Sequence, residues 1–287
     1  MPELPEVETV LRGLREHVLG RRVTAVEVRN PAVILGAPDD FVRNIAGGRI
    51  VGFSRKGKVL ALQLARDNRK PPRYLVVRLG MTGQFTVSRR ESPLEPHSHV
   101  RLVIGKGREE LRFRDVRRFG RLRCCTRREL EEVFTRLGPD AREISEEQFL
   151  AALQARRGTI KSWLMNQQLL SGIGNIYADE ALFAARIHPL IPAGRLTPVS
   201  ARRLRRAVGK ILDRAVALGG TSVRDYRNAE GRPGNFLSHL RVYQRTGEPC
   251  RRCRHAIRRL IISGRSSHFC PHCQPRPRRA LVQHGPR

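Results

Sequence analysis

The sequence predicts an α+β protein in three parts: a leading helix with many strands, then a run of helices, then a small four-cysteine module. Three observations predict it. Residues 22 to about 125 hold short Val-, Leu- and Ile-rich segments broken by Gly, Pro or charged turns. From Ser145 onward the apolar period lengthens to that of helices. Near the C-terminus stands Cys250-x2-Cys253-x16-Cys270-x2-Cys273. The chain has 287 residues and 40% apolar content, enough for two domains and a sizeable core.

Taken in order, Val7, Val10, Leu11, Leu14 and Val18 follow a 3.6-residue period from Pro5 to a stop at Gly20. Leu4 is a poor cap, which predicts first-turn amides open to a ligand or water. Strands are expected at Val23–Val28, 49–54, 59–64, 74–79, 84–87, 99–104, 111–113 and 120–124, as a sandwich or barrel. A short acidic helix and the turn Gly138-Pro139-Asp140 make a connection over 126–145. Ser145 with Gln148 suits a capping box. Helices are expected at 159–170, 175–186 and 200–218, the last closed by Gly219-Gly220. Residues 221–237 form a long loop, a length usually kept for function.

Net charge is +30, almost all from arginine, which points to a polyanionic partner such as nucleic acid. No apolar run of about 18 residues exists, so no membrane helix is expected. No leader is visible and the cysteines form no disulfide framework, which predicts a reducing, cytoplasmic setting. Cys124 and Cys125 end a strand as packing residues.

Four places carry chemistry. The paired cysteines suit one tetrahedral Zn²⁺, in a stretch with ten arginines from Cys250 onward and no acidic side chain. At the other end, removal of Met1 would free the secondary amine of Pro2 beside Glu3. An α-amine has a pKa of ~7.7–8.0 against ~10.4 for lysine, so far more of it is nucleophilic near neutrality. Added to a sugar aldehyde centre it would give a cationic iminium. The same residues also suit a plain helix start. Ser171-Gly172-Ile173-Gly174-Asn175 joins two helices, with Asn175 placed to cap the second and small residues that admit a phosphate. The loop from Arg114 to Gly120 sets arginines beside Phe119, fitting either base-stack insertion or a solvated turn with Phe119 in the core. Lys58 opens a strand, and His97 and His99 alternate on a strand edge.

These motifs together resemble bacterial formamidopyrimidine-DNA glycosylases. The resemblance rests on Pro2-Glu3-Leu4-Pro5-Glu6-Val7-Glu8-Thr9, Leu79-Gly80-Met81-Thr82-Gly83, Arg117-Arg118-Phe119-Gly120, the 172–178 stretch and the cysteines, and runs through Cys273. It implies an N-terminal two-sheet β-sandwich over 1–125, the connection, a helix-two-turn-helix domain over 146–240, a zinc finger over 241–275 and a basic, flexible tail. The implied activity is excision of oxidised purines from double-stranded DNA by a monomer. Pro2 would be the nucleophile and Glu3 the acid, with Lys58 assisting elimination and Arg265 the second elimination. Met81, Arg117 and Phe119 would fill the gap left by the everted nucleotide. His97, Arg156, Lys161 and Asn175 match DNA contacts, and residues 217–237 match the loop that closes over the flipped base.

The chain departs from the family pattern at Val116, Asn166 and Asn235, where proline, aspartate and an aromatic are common. None touches Pro2, Glu3 or the cysteines. An endonuclease VIII-like enzyme for oxidised pyrimidines shares much of this pattern, but usually has glycine where Leu4 stands. A non-catalytic damage binder would use the same basic finger.

Overall fold

The computed structural model describes residues 2–66, 71–154, 157–223 and 225–276. They divide into two compact units that are not contiguous in sequence. The first holds residues through Glu143 together with Gln167–Ile173 and Leu212–His239; the second holds Ile144–Asn166, Gly174–Ile211 and the chain from Leu240. The sequence reading placed 167–173 and 212–239 with the helical domain, whereas their contacts lie within the first unit.

In the first unit, helix α1 (Leu4–Val18) buries Val7, Val10, Leu11, Leu14 and Val18 along one stripe. Its cap is Glu3, not Leu4, and Glu6 turns back to accept the Glu3 N–H at 2.8 Å. The Leu4 N–H donates to the Gly172 carbonyl at 3.0 Å. These two amides are thus engaged inside the protein, which corrects the expectation of an open helix end. The cap lies one residue earlier than the apolar pattern suggests.

Eight strands occur where expected: β1 (Val23–Val28), β2 (Arg49–Lys56), β3 (Val59–Ala65), β4 (Arg73–Arg78), β5 (Gln84–Arg89), β6 (Ser98–Ile104), β7 (Glu109–Arg114) and β8 (Arg121–Cys125). They pair antiparallel in two four-stranded sheets, ordered β1-β6-β7-β5 and β2-β3-β4-β8. The α1 stripe joins residues of both sheets, such as Leu62, Val77, Phe85, Leu102 and Phe113, in one core. Each such side chain contributes about 1.5–3 kcal/mol on burial. Helix α2 (Pro38–Ile45) was not foreseen: with two buried apolar residues, Phe41 and Ile45, it is too short for periodicity to register. Helix α3 (Arg127–Thr135) sets Leu130 against Val59, Ala61, Tyr74, Val76 and Cys125. That second cover explains why β3 is buried on both faces. Burial raises the Cys124 thiol to about 12 and Cys125 to about 11, so both are inert packing groups.

In the second unit, helix α4 (Glu146–Leu153) begins with the expected Ser145–Gln148 capping box. Helix α5 (Ile160–Met165) is shorter than the apolar pattern predicts, because Asn166 turns to extended backbone. Helices α6 (Asn175–Ala184) and α7 (Pro198–Ala217) follow, α7 belonging to this unit through Ile211. Strands β9 (Arg258–Ile262) and β10 (Arg265–Phe269) form the hairpin anticipated between the cysteine pairs. Among the described residues no helix is long and apolar enough to cross a membrane.

A buried ion network fixes the turn between β2 and β3. The Arg55 side chain, 5% exposed, bonds Glu8 at 2.8 Å and Asp140, and Asp140 also accepts the Gly57 N–H at 2.9 Å. Burial pushes the Glu8 carboxyl upward, but Arg55 and Arg12 outweigh it and hold it below the usual range. A depressed folded-state pKa means stability that is present above the unfolded value, ~4.3, and lost as pH falls through the folded one. We expect Glu8→Gln to be less stable than the parent at neutral pH and to lose less stability on acidification below about pH 4. Urea unfolding at several pH values checks this, and parallel curves for the two proteins would refute it.

Candidate functional site

The chain end is held rather than frayed. Pro2 is buried and Glu3 is 1% exposed; Met1 lies outside the described residues. The Glu6 carboxylate accepts the Glu3 N–H on one oxygen and the Thr221 N–H, at 2.7 Å, on the other. Tyr226 donates its hydroxyl to the Glu6 carbonyl at 3.3 Å. Burial and the neighbouring Glu6 raise the Tyr226 phenol, so it stays a neutral donor. Leu4 packs on Gly172, where an added Cβ would lie 2.5 Å from the leucine side chain.

Lys58 lies in the turn just before β3 and is half-buried. Its neighbour Gly57 has φ +55° and packs on the same segment: a Cβ there would meet Ser171 at 2.8 Å and the Gly172 nitrogen at 3.0 Å. Pro2-Glu3-Leu4 and the Lys58 turn therefore flank one piece of backbone, residues 171–172. The 219–236 segment is drawn in at its neck, where Asn235 donates to Leu218 at 2.9 Å and Phe236 to Gly220 at 3.0 Å. Gly234 must be glycine, since a Cβ would lie 2.3 Å from the Gly220 oxygen.

Met81, Arg117 and Phe119 come together on two adjoining loops, β4–β5 and β7–β8. Phe119 is 53% exposed and Met81 38%, which decides against Phe119 as a core residue. The Arg117 guanidinium lies 4.7 Å from the Phe119 ring centre. Gly80, φ +65°, allows the two backbones to meet: its Cβ would stand 2.6 Å from the Gly120 nitrogen. Asp115 is fully buried between them. Its carboxylate accepts the Thr82 hydroxyl, the Arg117 N–H at 3.3 Å and the Gly120 N–H at 2.6 Å. His99, buried, has Nε2 2.8 Å from the Asp115 carbonyl oxygen and is a support for this loop. His97 is exposed, with φ +66°.

In the second unit, two expectations need correction. Lys161 is 1% exposed, and its ammonium bonds the Asp179 carboxylate and the Asn175 carbonyl. The charge matched to a DNA-contacting position is held inside by a carboxylate. Asn175 is the first residue of α6 rather than its cap; Gly174 caps it, and the buried Asn175 Oδ1 has no protein partner. Arg156 lies outside the described residues. Arg265 is exposed at the start of β10, after Gly264 at φ +72°. The hairpin tip is tied to α5 by Ser162 and Ser263, whose hydroxyls lie 2.9 Å apart.

The four cysteines converge with every sulfur within 4.8 Å of the others, and pairs at 3.4, 3.4 and 4.0 Å. Tetrahedral Zn–S bonds of about 2.3 Å set sulfurs about 3.8 Å apart, so the cluster fits one zinc. Burial and neighbouring sulfurs push the Cys273 thiol up to about 12. A dication at the centre is what lets the four thiols be held together as thiolates.

Sequence reasoning missed the buried acids that hold these pieces. Asp179 bonds Lys161, the Ser267 hydroxyl at 3.0 Å and the His268 N–H at 2.9 Å, joining α5, α6 and β10. Glu180 accepts the N–H groups of Arg241, Val242 and Tyr243 at 2.9–3.0 Å, holding the segment that leads to the finger. Burial raises the Glu180 carboxyl, although those N–H groups oppose the rise. The signal was present: two adjacent acids inside an otherwise apolar helix.

Three family models match the chain: the formamidopyrimidine-DNA glycosylase N-terminal domain over residues 1–122, the H2TH domain of the same enzymes over 137–227, and a zinc finger found in FPG and IleRS over 247–276. The formamidopyrimidine-DNA glycosylase of Solibacter usitatus is 44% identical over 277 residues, covering 96% of this chain and 100% of the relative. That of Chloroflexus aurantiacus is 41% identical, covering 96% and 98%. Among solved structures, a Lactococcus lactis FPG mutant with Fapy-dG-containing DNA superposes with a TM-score of 0.88 at 33% identity, covering 96% of this chain and all of that one. A MutM complex with carbocyclic 8-oxo-G DNA gives 0.87 at the same identity and coverage. The finger match and the sulfur geometry assign one structural zinc to Cys250, Cys253, Cys270 and Cys273.

Cys270→Ser is expected to lose the zinc and, with it, the salt-dependent part of DNA binding that the basic finger supplies. Metal analysis and binding titrations at two salt concentrations check this. Full zinc content, or unchanged binding after zinc loss, would contradict the finger's role.

Proposed function

Because the chain belongs to the formamidopyrimidine-DNA glycosylase family, we propose that it excises oxidised purines from duplex DNA and then cleaves the abasic strand with its own N-terminus. The observation that carries this reading is the anchored chain end. Termini usually fray, yet Pro2 and Glu3 are buried and pinned through Leu4 and Glu6. A group held this firmly suits chemistry that needs a fixed nucleophile.

Once Met1 is removed, the Pro2 amine attacks C1′ of the everted nucleotide. The glycosidic C–N bond breaks, the base leaves with a proton, and Glu3 protonates the ring oxygen as the sugar opens. The resulting iminium is an electron sink that acidifies the C2′ proton. Its removal expels the 3′ phosphate, and a second elimination expels the 5′ phosphate; water then hydrolyses the iminium and frees Pro2. Lys58, whose turn packs on the backbone segment that anchors Leu4, is assigned to excision and the first elimination. Arg265, exposed on the finger hairpin, is assigned to the flanking phosphates and the second elimination. Met81, Arg117 and Phe119 fill the space in the stack, offsetting the few kcal/mol that eversion costs. His97 and Asn175 contact the DNA backbone, and Arg156 is assigned there from the sequence alone. Lys161 acts indirectly, by fixing the turn that presents Asn175.

Borohydride reduction of the enzyme on an abasic duplex is expected to give a covalent adduct. Pro2→Gly should greatly reduce it, and an uncleavable N-terminal tag should abolish lyase activity while sparing DNA binding. Retained cleavage with the tag in place would sink the Pro2 assignment. On a panel of duplexes, 8-oxoguanine should be cut faster than thymine glycol; the reverse order would favour the pyrimidine-specific alternative.

A further inference from the structure

We propose that Asp115 is the positioning residue that sets the Met81, Arg117 and Phe119 side chains as one wedge, and so governs how well the enzyme opens a duplex rather than how fast it does chemistry. The proposal rests on the glycosylase reading above and deepens it.

Asp115 is the only acid between Arg112 and Arg123, a segment with six arginines: Arg112, Arg114, Arg117, Arg118, Arg121 and Arg123. Such a carboxylate would ordinarily pair with an arginine. It pairs with none among the described residues. Instead its oxygens take the Thr82 hydroxyl and the N–H groups of Arg117 and Gly120. The Arg117 N–H also reaches the Thr82 hydroxyl oxygen at 3.1 Å. One carboxylate therefore fixes the backbone on both sides of Arg118 and Phe119 and ties it to the loop that carries Met81.

Two consequences follow from this arrangement. The backbone between the two anchors is held in a conformation that costs energy, since Arg118 has φ +56°. The Arg117 guanidinium, not consumed by the nearby acid, is left over the Phe119 ring. The Asp115 backbone is itself braced, with its N–H on the His97 carbonyl at 3.0 Å and its carbonyl oxygen facing His99 Nε2. The next residue, Val116, is exposed and has no ring to fix its φ. The carboxylate thus supplies loop rigidity that a fixed φ would otherwise share.

Asp115→Asn tests this with little change of shape. One amide oxygen can still serve two donors, but the other position becomes an N–H₂ that faces the Gly120 N–H or the Thr82 hydroxyl. Thr82→Val removes only the bridge between loops, and keeps the test available if the first variant folds poorly. Single-turnover excision of 8-oxoguanine from duplex is compared with borohydride trapping on a single-stranded abasic oligonucleotide, where no stack has to be opened. Both variants should lose about tenfold or more in the duplex reaction relative to the single-strand reaction. A 2-aminopurine placed beside the lesion should report smaller unstacking on binding. Equal losses on the two substrates, or an undiminished 2-aminopurine signal in both variants, would overturn the proposal. If the parent forms no adduct, the glycosylase reading fails, while the fluorescence comparison still decides the role of Asp115.

Discussion

The buried chain end is fixed by hydrogen bonds, and much of the first unit serves that constraint. The Glu6 carboxylate is the centre of the solution. It lies one turn into α1, is almost wholly buried, and accepts one N–H from the chain end and one from the 219–236 segment. Removing a carboxylate from water is costly unless its oxygens are satisfied, and the two backbone donors supply that. Gly220 and Gly172 follow from the same requirement, because a side chain at either would collide with Glu6 or Leu4. The α1 stripe in turn anchors the helix to the cores of both sheets.

The same device recurs with other acids. Asp115, Asp140, Asp179 and Glu180 are each buried and each hold backbone N–H groups of a neighbouring segment. In a chain of net charge +30, these buried acids order neighbouring segments, and many arginines are left at the surface. That division fits binding to a polyanion: surface cations supply affinity without specific geometry, and buried carboxylates supply geometry. Arg55 is an exception, drawn inside by Glu8 and Asp140 to fix the turn before Lys58.

In the second unit, neighbours in space decide how a residue's charge or capping chemistry is used. Lys161 has the charge to meet a phosphate, but Asp179 lies one helix away and neutralises it in the interior. Asn175 has the chemistry of a cap, but Gly174 takes that position. Both shifts depend on which residues become neighbours in space. Neither could be read from local pattern.

Local pattern determined a good deal of this protein. The eight strands, the α1 stripe, the Ser145 cap and the finger hairpin rest on periodicity, turn residues and cysteine spacing, which act over a few residues and survive any tertiary arrangement. The four cysteines were legible for the same reason. What only the tertiary structure decided was pairing and charge placement. Strand β1 pairs with β6 some 75 residues on, and segments 167–173 and 212–239 join the first unit. Buried acids meet amides far along the chain, and Glu6 bonds the amide of Thr221. Such contacts carry no local signature, because a carboxylate is satisfied by any N–H that the fold brings within reach.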